Sequence, residues 1–98
     1  MTIQKLTEGQ KLTIALEGRL DTVTAPELEA ELKASLAGVT ELVFDMGKLE
    51  YLSSAGLRVL LSAQKQMSKQ GQMTVTNVNE TIMEIFEVTG FSDILTIA

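Results

Sequence analysis

Cysteine, histidine and tryptophan are absent from the 98 residues, and proline occurs once. Without cysteine there can be no disulfide, no thiolate nucleophile and no cysteine-based zinc site. Without histidine, a serine nucleophile lacks its usual general base. Basic residues are also scarce: eight Lys and Arg stand against thirteen Asp and Glu, so the net charge is 8 − 13 = −5. They form no stripe able to neutralise phosphates, so nucleic acid is not expected as a partner. No apolar run nears the roughly 18 residues of a membrane span, and Met1 to Gln10 lacks the basic start and apolar core of a signal peptide. A soluble cytoplasmic protein with no direct membrane insertion is therefore expected. A Gly-Lys-Ser/Thr phosphate loop is missing too. No metal or cofactor is expected, since Met67, Met73 and Met83 fit core positions.

What is present reads as one domain over residues 1–98, long enough to bury a single core. Leu12, Ile14 and Leu16 alternate with Thr13, Ala15 and Glu17, and Met73 and Val75 alternate with Gln72 and Thr74, the period-two pattern of strands with one buried face. Leu42-Val43-Phe44-Asp45-Met46 is apolar almost throughout, as expected of a central strand, while Thr2 to Thr7 forms a weaker one. Three helices alternate with them. The first begins at a capping box, Thr24-Ala25-Pro26-Glu27, turns Leu28, Leu32 and Leu36 inward and stops at Gly38. A second runs on from Ser53-Ser54 with Leu57, Leu60, Leu61 and Met67 inward and Arg58, Ser62, Lys65 and Lys69 outward. The third starts near Asn79, buries Ile82, Ile85 and Phe86, and ends at Gly90-Phe91. Ile94, Leu95 and Ile97 then form a short closing strand or helical turn. The order β-β-α-β-α-β-α predicts a two-layer α/β sandwich, with a mixed, mostly parallel sheet of four to five strands and helices mainly on one face.

In such sheets ligands gather beyond the carboxyl ends of the strands. That edge is expected to hold Asp21, Thr22 and Thr24 after the second strand, and Asp45, Ser53 and Ser54 after the third. Ser53 and Ser54 sit at a helix N-terminus, where unpaired N–H groups and the positive dipole end favour a serine cap and would equally favour a phosphate. Asp21 and Asp45 admit a carboxylate-pair reading, but Asp is also a common turn and capping residue. Gly56, inside the second helix, implies either a tight packing contact or close approach by another backbone. Tyr51 and Leu52 read as packing residues beside the serines. A serine hydrolase is disfavoured, because the Gly-x-Ser-x-Gly elbow is missing along with the histidine.

Leu16-Glu17-Gly18-Arg19-Leu20-Asp21, Leu42 to Met46 and Tyr51-Leu52-Ser53-Ser54-Ala55-Gly56-Leu57 together resemble the anti-sigma-factor antagonists, the small free-standing members of the STAS family. The family typically reads Asp-Ser-(Ser or Thr)-Gly-Leu at the last segment, and the residue after the Asp is phosphorylated. Here Ser53 replaces that Asp. The resemblance implies a STAS-like sandwich and a non-enzymatic regulator of transcription. Such a protein binds an anti-sigma factor with serine kinase activity, is released when Ser54 (in second place Ser53) is phosphorylated, and is reset by a serine phosphatase. It further implies a partner-binding surface of Asp21, Thr22, Asp45, Leu52, Ser53, Ala55, Gly56 and Arg58. The alternative within the family is a non-switching adaptor subunit of a membrane lipid transporter, in which both serines are only caps.

Overall fold

In the computed structural model, which describes Met1–Ala98, four strands and three helices follow the expected order: β1 (Thr2–Glu8), β2 (Lys11–Leu20), α1 (Ala25–Ser35), β3 (Glu41–Leu52), α2 (Ser54–Gln70), β4 (Gln72–Thr76) and α3 (Glu80–Thr89). The sheet has the order β1-β2-β3-β4. Its first pair is antiparallel, joined by a tight turn, and the other two pairs are parallel, as connection through helices requires. Of the closing strand or helical turn expected at Ile94, Leu95 and Ile97, the strand alternative is met in part by a single bridge, and the helical turn lies just before these residues. A 3₁₀ turn covers Phe91–Asp93, and Ile97 makes a parallel bridge to Val75.

Register decides which side chains meet. Leu12, Leu42 and Met73 lie abreast, as do Ile14, Phe44 and Val75, and all six are buried. They form one face of the sheet, and with Leu28, Leu32, Leu57, Leu60, Met67, Ile82 and Phe86 of the helices they make a single apolar core. At roughly 2 kcal/mol for each large apolar side chain buried, this layer dominates the stability of the domain. The opposite face presents Thr13, Ala15, Val43 and Thr74, all half-buried. Val43 is therefore less enclosed than the continuous apolar run of β3 implied.

Several local expectations are corrected. β3 does not end at Met46 but continues to Leu52. The period-two rule misses this because the strand carries two extra residues against β2, with shifts opposite Ala15/Glu17 and Gly18/Arg19. Met46, Leu49 and Leu52 consequently return to the buried face at every third residue. In α2 the inward set includes Val59 and Ala63, while Leu61 is only half-buried; Ile85 of α3 is likewise half-buried. The capping box at α1 does not form either. Thr24 has helical dihedrals and no side-chain cap bond, because its hydroxyl is occupied within the preceding loop.

The α3 boundaries do follow the sequence. Asn79 caps the helix through Oδ1, which accepts from Ile82 N at 2.9 Å, and its Nδ2 donates to Leu49 O at 2.8 Å. Gly90 ends it at φ 81°, a left-handed conformation that a glycine adopts without strain. At the end of α2, Gln70 Nε2 donates to Leu36 O and Val39 O and so ties the helix to the loop before β3.

Candidate functional site

Two loops meet at the carboxyl end of the central strands. One leaves β2 at Leu20 and carries Asp21, Thr22, Val23 and Thr24; the other is the junction from β3 into α2 at Ser53. Ser53 N donates to Leu20 O at 2.9 Å and locks them side by side. The sequence expectation that Asp21 and the serines share one edge of the sheet is thus realised by a backbone bond.

The Asp21 loop is rigidly built. One carboxylate oxygen of Asp21 accepts from Val23 N at 3.0 Å and Thr24 N at 3.2 Å. Thr24 Oγ1 accepts from Asp21 N at 2.9 Å and donates to Arg19 O at 2.7 Å. Arg19 lies 3.7 Å from the second carboxylate oxygen and stacks 4.3 Å above the Tyr51 ring on β3. The N–H of Thr24 does most to hold the Asp21 carboxyl below its usual range; desolvation, next in size, opposes it, and the N–H of Val23, the Thr24 hydroxyl and the Arg19 charge add smaller lowering effects. Asp21 is accordingly ionised at neutral pH. Its loop also leaves Val23 80 % exposed.

On the second loop the two serines differ. Ser53 has the extended dihedrals of an N-cap residue, φ −95° and ψ 175°, yet its hydroxyl makes no cap bond and is hidden from solvent with no partner. Ser54 is the first residue of α2 and is exposed. Neither serine performs the capping that the sequence allowed. The first turn of α2 contains no acidic side chain, so the N-terminal N–H groups and the dipole end are left uncompensated.

The remaining expected residues divide by position. Thr22 and Arg58 are exposed and Ala55 is half-buried, all within the first turns around the serines or on the Asp21 loop. Leu52, 2 % exposed, and Gly56, also buried, belong to the core beneath the site and shape it from below. A Cβ on Gly56 would stand 2.7 Å from Leu20 Cγ and 2.7 Å from Leu52 Cδ1, so of the two readings of this glycine the structure favours packing. Asp45 is not at the strand end. It lies inside β3, paired with Ala15 and Thr76, roughly 25 Å along the strand from the serines at about 3.3 Å per residue. Sequence reasoning missed Arg19 and Val23; the alternation of β2 places Arg19 outward, but nothing in the pattern foretells its stacking on Tyr51.

Comparison with known proteins gives the arrangement a context. The chain is 39 % identical over 89 residues to a Bordetella bronchiseptica protein named as an anti-sigma factor antagonist, BtrV, covering 89 % of this chain and 77 % of that one. The crystal structure of an anti-sigma factor antagonist from Mycobacterium paratuberculosis superposes with a TM-score of 0.88 at 25 % identity, over 98 % of this chain and 83 % of that one. The fold is also that of the Bacillus cell fate determinant SpoIIAA in its phosphorylated form, with a TM-score of 0.76 at 19 % identity, over 99 % and 91 % of the two chains. The STAS domain family model matches residues 2–98, and the chain belongs to that family.

Proposed function

We propose that this chain is an anti-sigma factor antagonist whose Ser54 is a phosphorylation switch. Unmodified, it binds an anti-sigma factor that is also a serine kinase, so that a sigma factor is released; phosphorylated, it is let go until a phosphatase restores it. The observation that carries the reading is the contrast between the serines, since Ser54 is exposed at the head of α2 while the Ser53 hydroxyl is buried. The names of the relatives agree with the binding role.

The physical consequences follow from charge. A phosphate adds about −1.5 to −2 at neutral pH and three acceptor oxygens. At the first residue of α2 it meets the positive dipole end and uncapped N–H groups, so the helix tolerates it. It also adds to the negative charge of the Asp21 loop beside it. A partner surface shaped for a neutral hydroxyl and a single carboxylate would then face an unmatched dianion, which weakens docking without unfolding the domain.

Incubation with the cognate kinase and ATP, followed by peptide mapping, tests the assignment. Phosphate is expected on Ser54, with Ser54→Ala unphosphorylated yet still bound; modification of Ser53 alone contradicts it. A chain that binds transporter subunits and is never phosphorylated would favour the constitutive adaptor.

A further inference from the structure

The face of the sheet not covered by helices carries a polar depression that takes no part in the Ser54 site. It has a volume of about 390 Å³, an apolar floor at Ala15, and walls formed by Gln4, Glu17, Asp45, Lys48 and Asn77. Past Glu17 and Lys48 it continues into a shallower trough of about 560 Å³, which borders the start of α3 and adds Glu50 and Glu80. Four carboxylates thus face one ammonium group, and Lys48 is already drawn to Glu17 at 3.7 Å.

The hydrogen-bonding groups in the depression are left unevenly used. Asp45 Oδ1 accepts from Gly47 N at 2.9 Å and from Asn77 Nδ2 at 3.1 Å, which fixes the carboxylate and leaves Oδ2 without a donor from the chain. Asn77, held in place at φ 55°, keeps its own Oδ1 unused, and the Gln4 amide makes no bond within the chain. The bulge that takes Met46 and Gly47 out of register, between the Ala15–Asp45 and Glu17–Lys48 pairs, opens the space between these groups. A ligand that satisfies them must bring several N–H donors and positive charge. An anion would be repelled, and an apolar group would strand the acceptors. The planar guanidinium, with five N–H donors in a fixed fork, meets both requirements.

We propose that this depression is a docking site for an arginine side chain presented by a partner protein. The net charge of −5 favours approach of a basic segment, and the acidic trough gives its flanking positive charges a place to lie. Because Asp45 is roughly 25 Å along β3 from the serines, the site works whether or not Ser54 is phosphorylated, and it does not rest on the switch. A partner gripped here stays tethered after release from the Ser54 surface.

The experiment is a titration of the ¹⁵N-labelled protein with the blocked tripeptide acetyl-Ala-Arg-Ala-amide, read by amide chemical shifts. Saturable shifts are expected at Gly47, Lys48 and Asn77, weakening as salt is raised. They should be absent with the citrulline counterpart, which has the same shape and no charge. Asp45→Asn keeps the Oδ1 acceptor for Gly47 and Asn77 but removes the charge, and is expected to weaken binding about tenfold. Absence of saturable shifts, equal binding of the citrulline peptide, or undiminished binding to a folded Asp45→Asn overturns the proposal. Should that variant not fold, the citrulline comparison on the unaltered protein decides alone. Binding of agmatine without binding of the tripeptide would mean a free guanidinium compound is the occupant, and the partner claim would fall.

Discussion

Replacing Gly56 with alanine asks whether the glycine beneath Ser54 serves packing. Two effects oppose each other. Alanine inside a helix is favoured over glycine by about 1 kcal/mol. Against this, the new methyl would lie 2.7 Å from Leu20 Cγ, 2.7 Å from Leu52 Cδ1 and 3.0 Å from Leu20 Cδ2, well inside ordinary contact. Neither leucine has room to retreat, because Leu20 is 0 % and Leu52 2 % exposed, and the nearest atom of Leu20 is its branch point. With three contacts this short the overpacking cost falls in the upper part of its usual range, about 1.5–3 kcal/mol, so the net expectation is a loss of roughly 0.5–2 kcal/mol. For a domain near 100 residues that lowers the melting temperature by about 3–12 °C. Thermal and urea unfolding followed by circular dichroism would measure it. A double-mutant cycle with Leu52→Ala supplies the control, since the vacated space should relieve much of the Gly56→Ala cost. A Gly56→Ala protein that melts at or above the parent temperature would refute the packing argument and return Gly56 to the recognition surface.

Four further substitutions test other parts of the account. Ser53→Ala should change stability by less than about 0.5 kcal/mol, where loss of a working N-cap typically costs about 1, because the Ser53 hydroxyl has no partner to lose. Asn79→Ala should cost about 1–3 kcal/mol by urea unfolding, since it removes the α3 cap and also leaves Leu49 O without its donor. Gly71→Ala should be more damaging than Gly56→Ala, in the range of 3 kcal/mol or more, because the added Cβ would fall 1.9 Å from the Thr40 carbonyl oxygen, which is backbone and also accepts from Gln72 N. For Asp21→Asn the readout is pH. The folded carboxyl is depressed, so its ionised form stabilises the domain fully above the ordinary value near 3.9 and progressively less as pH falls through the lowered one. The gap in melting temperature between parent and variant should therefore be constant from pH 7 to 5 and close below about pH 4; a gap unaffected by acid would show that charge is not what the loop uses.

Much of the fold was legible because its signals are short-ranged. Alternation in Leu12–Leu16 and Met73–Val75, the Asn79 cap and the Gly90 stop each report a local conformation, and the structure repeats them. The second half of β3 was hidden because its bulges exist only against β2, and no pattern within β3 announces a partner's register. For the same reason Asp45, read as a strand-end residue, lies within the strand. Thr24 illustrates a second limit: its hydroxyl chose between capping α1 and bonding the Arg19 carbonyl, and the path of the Asp21 loop, a tertiary feature, settled it. At the candidate site, sequence placed Ser54 and Asp21 together through the topology of parallel strands. Their rigid junction, the Ser53 N to Leu20 O bond, and the separation of an exposed from a buried serine needed coordinates.

The central claim is that Ser54 carries a regulatory charge, and mapping the phosphorylation state of the protein isolated from its native cells tests it most directly. The account predicts a fraction bearing one phosphate on Ser54, with loss of binding to the anti-sigma factor in that fraction and no modification of a Ser54→Ala protein expressed in its place. Phosphate confined to Ser53, or a Ser54-phosphorylated form that binds the anti-sigma factor as tightly as the unmodified one, would contradict it.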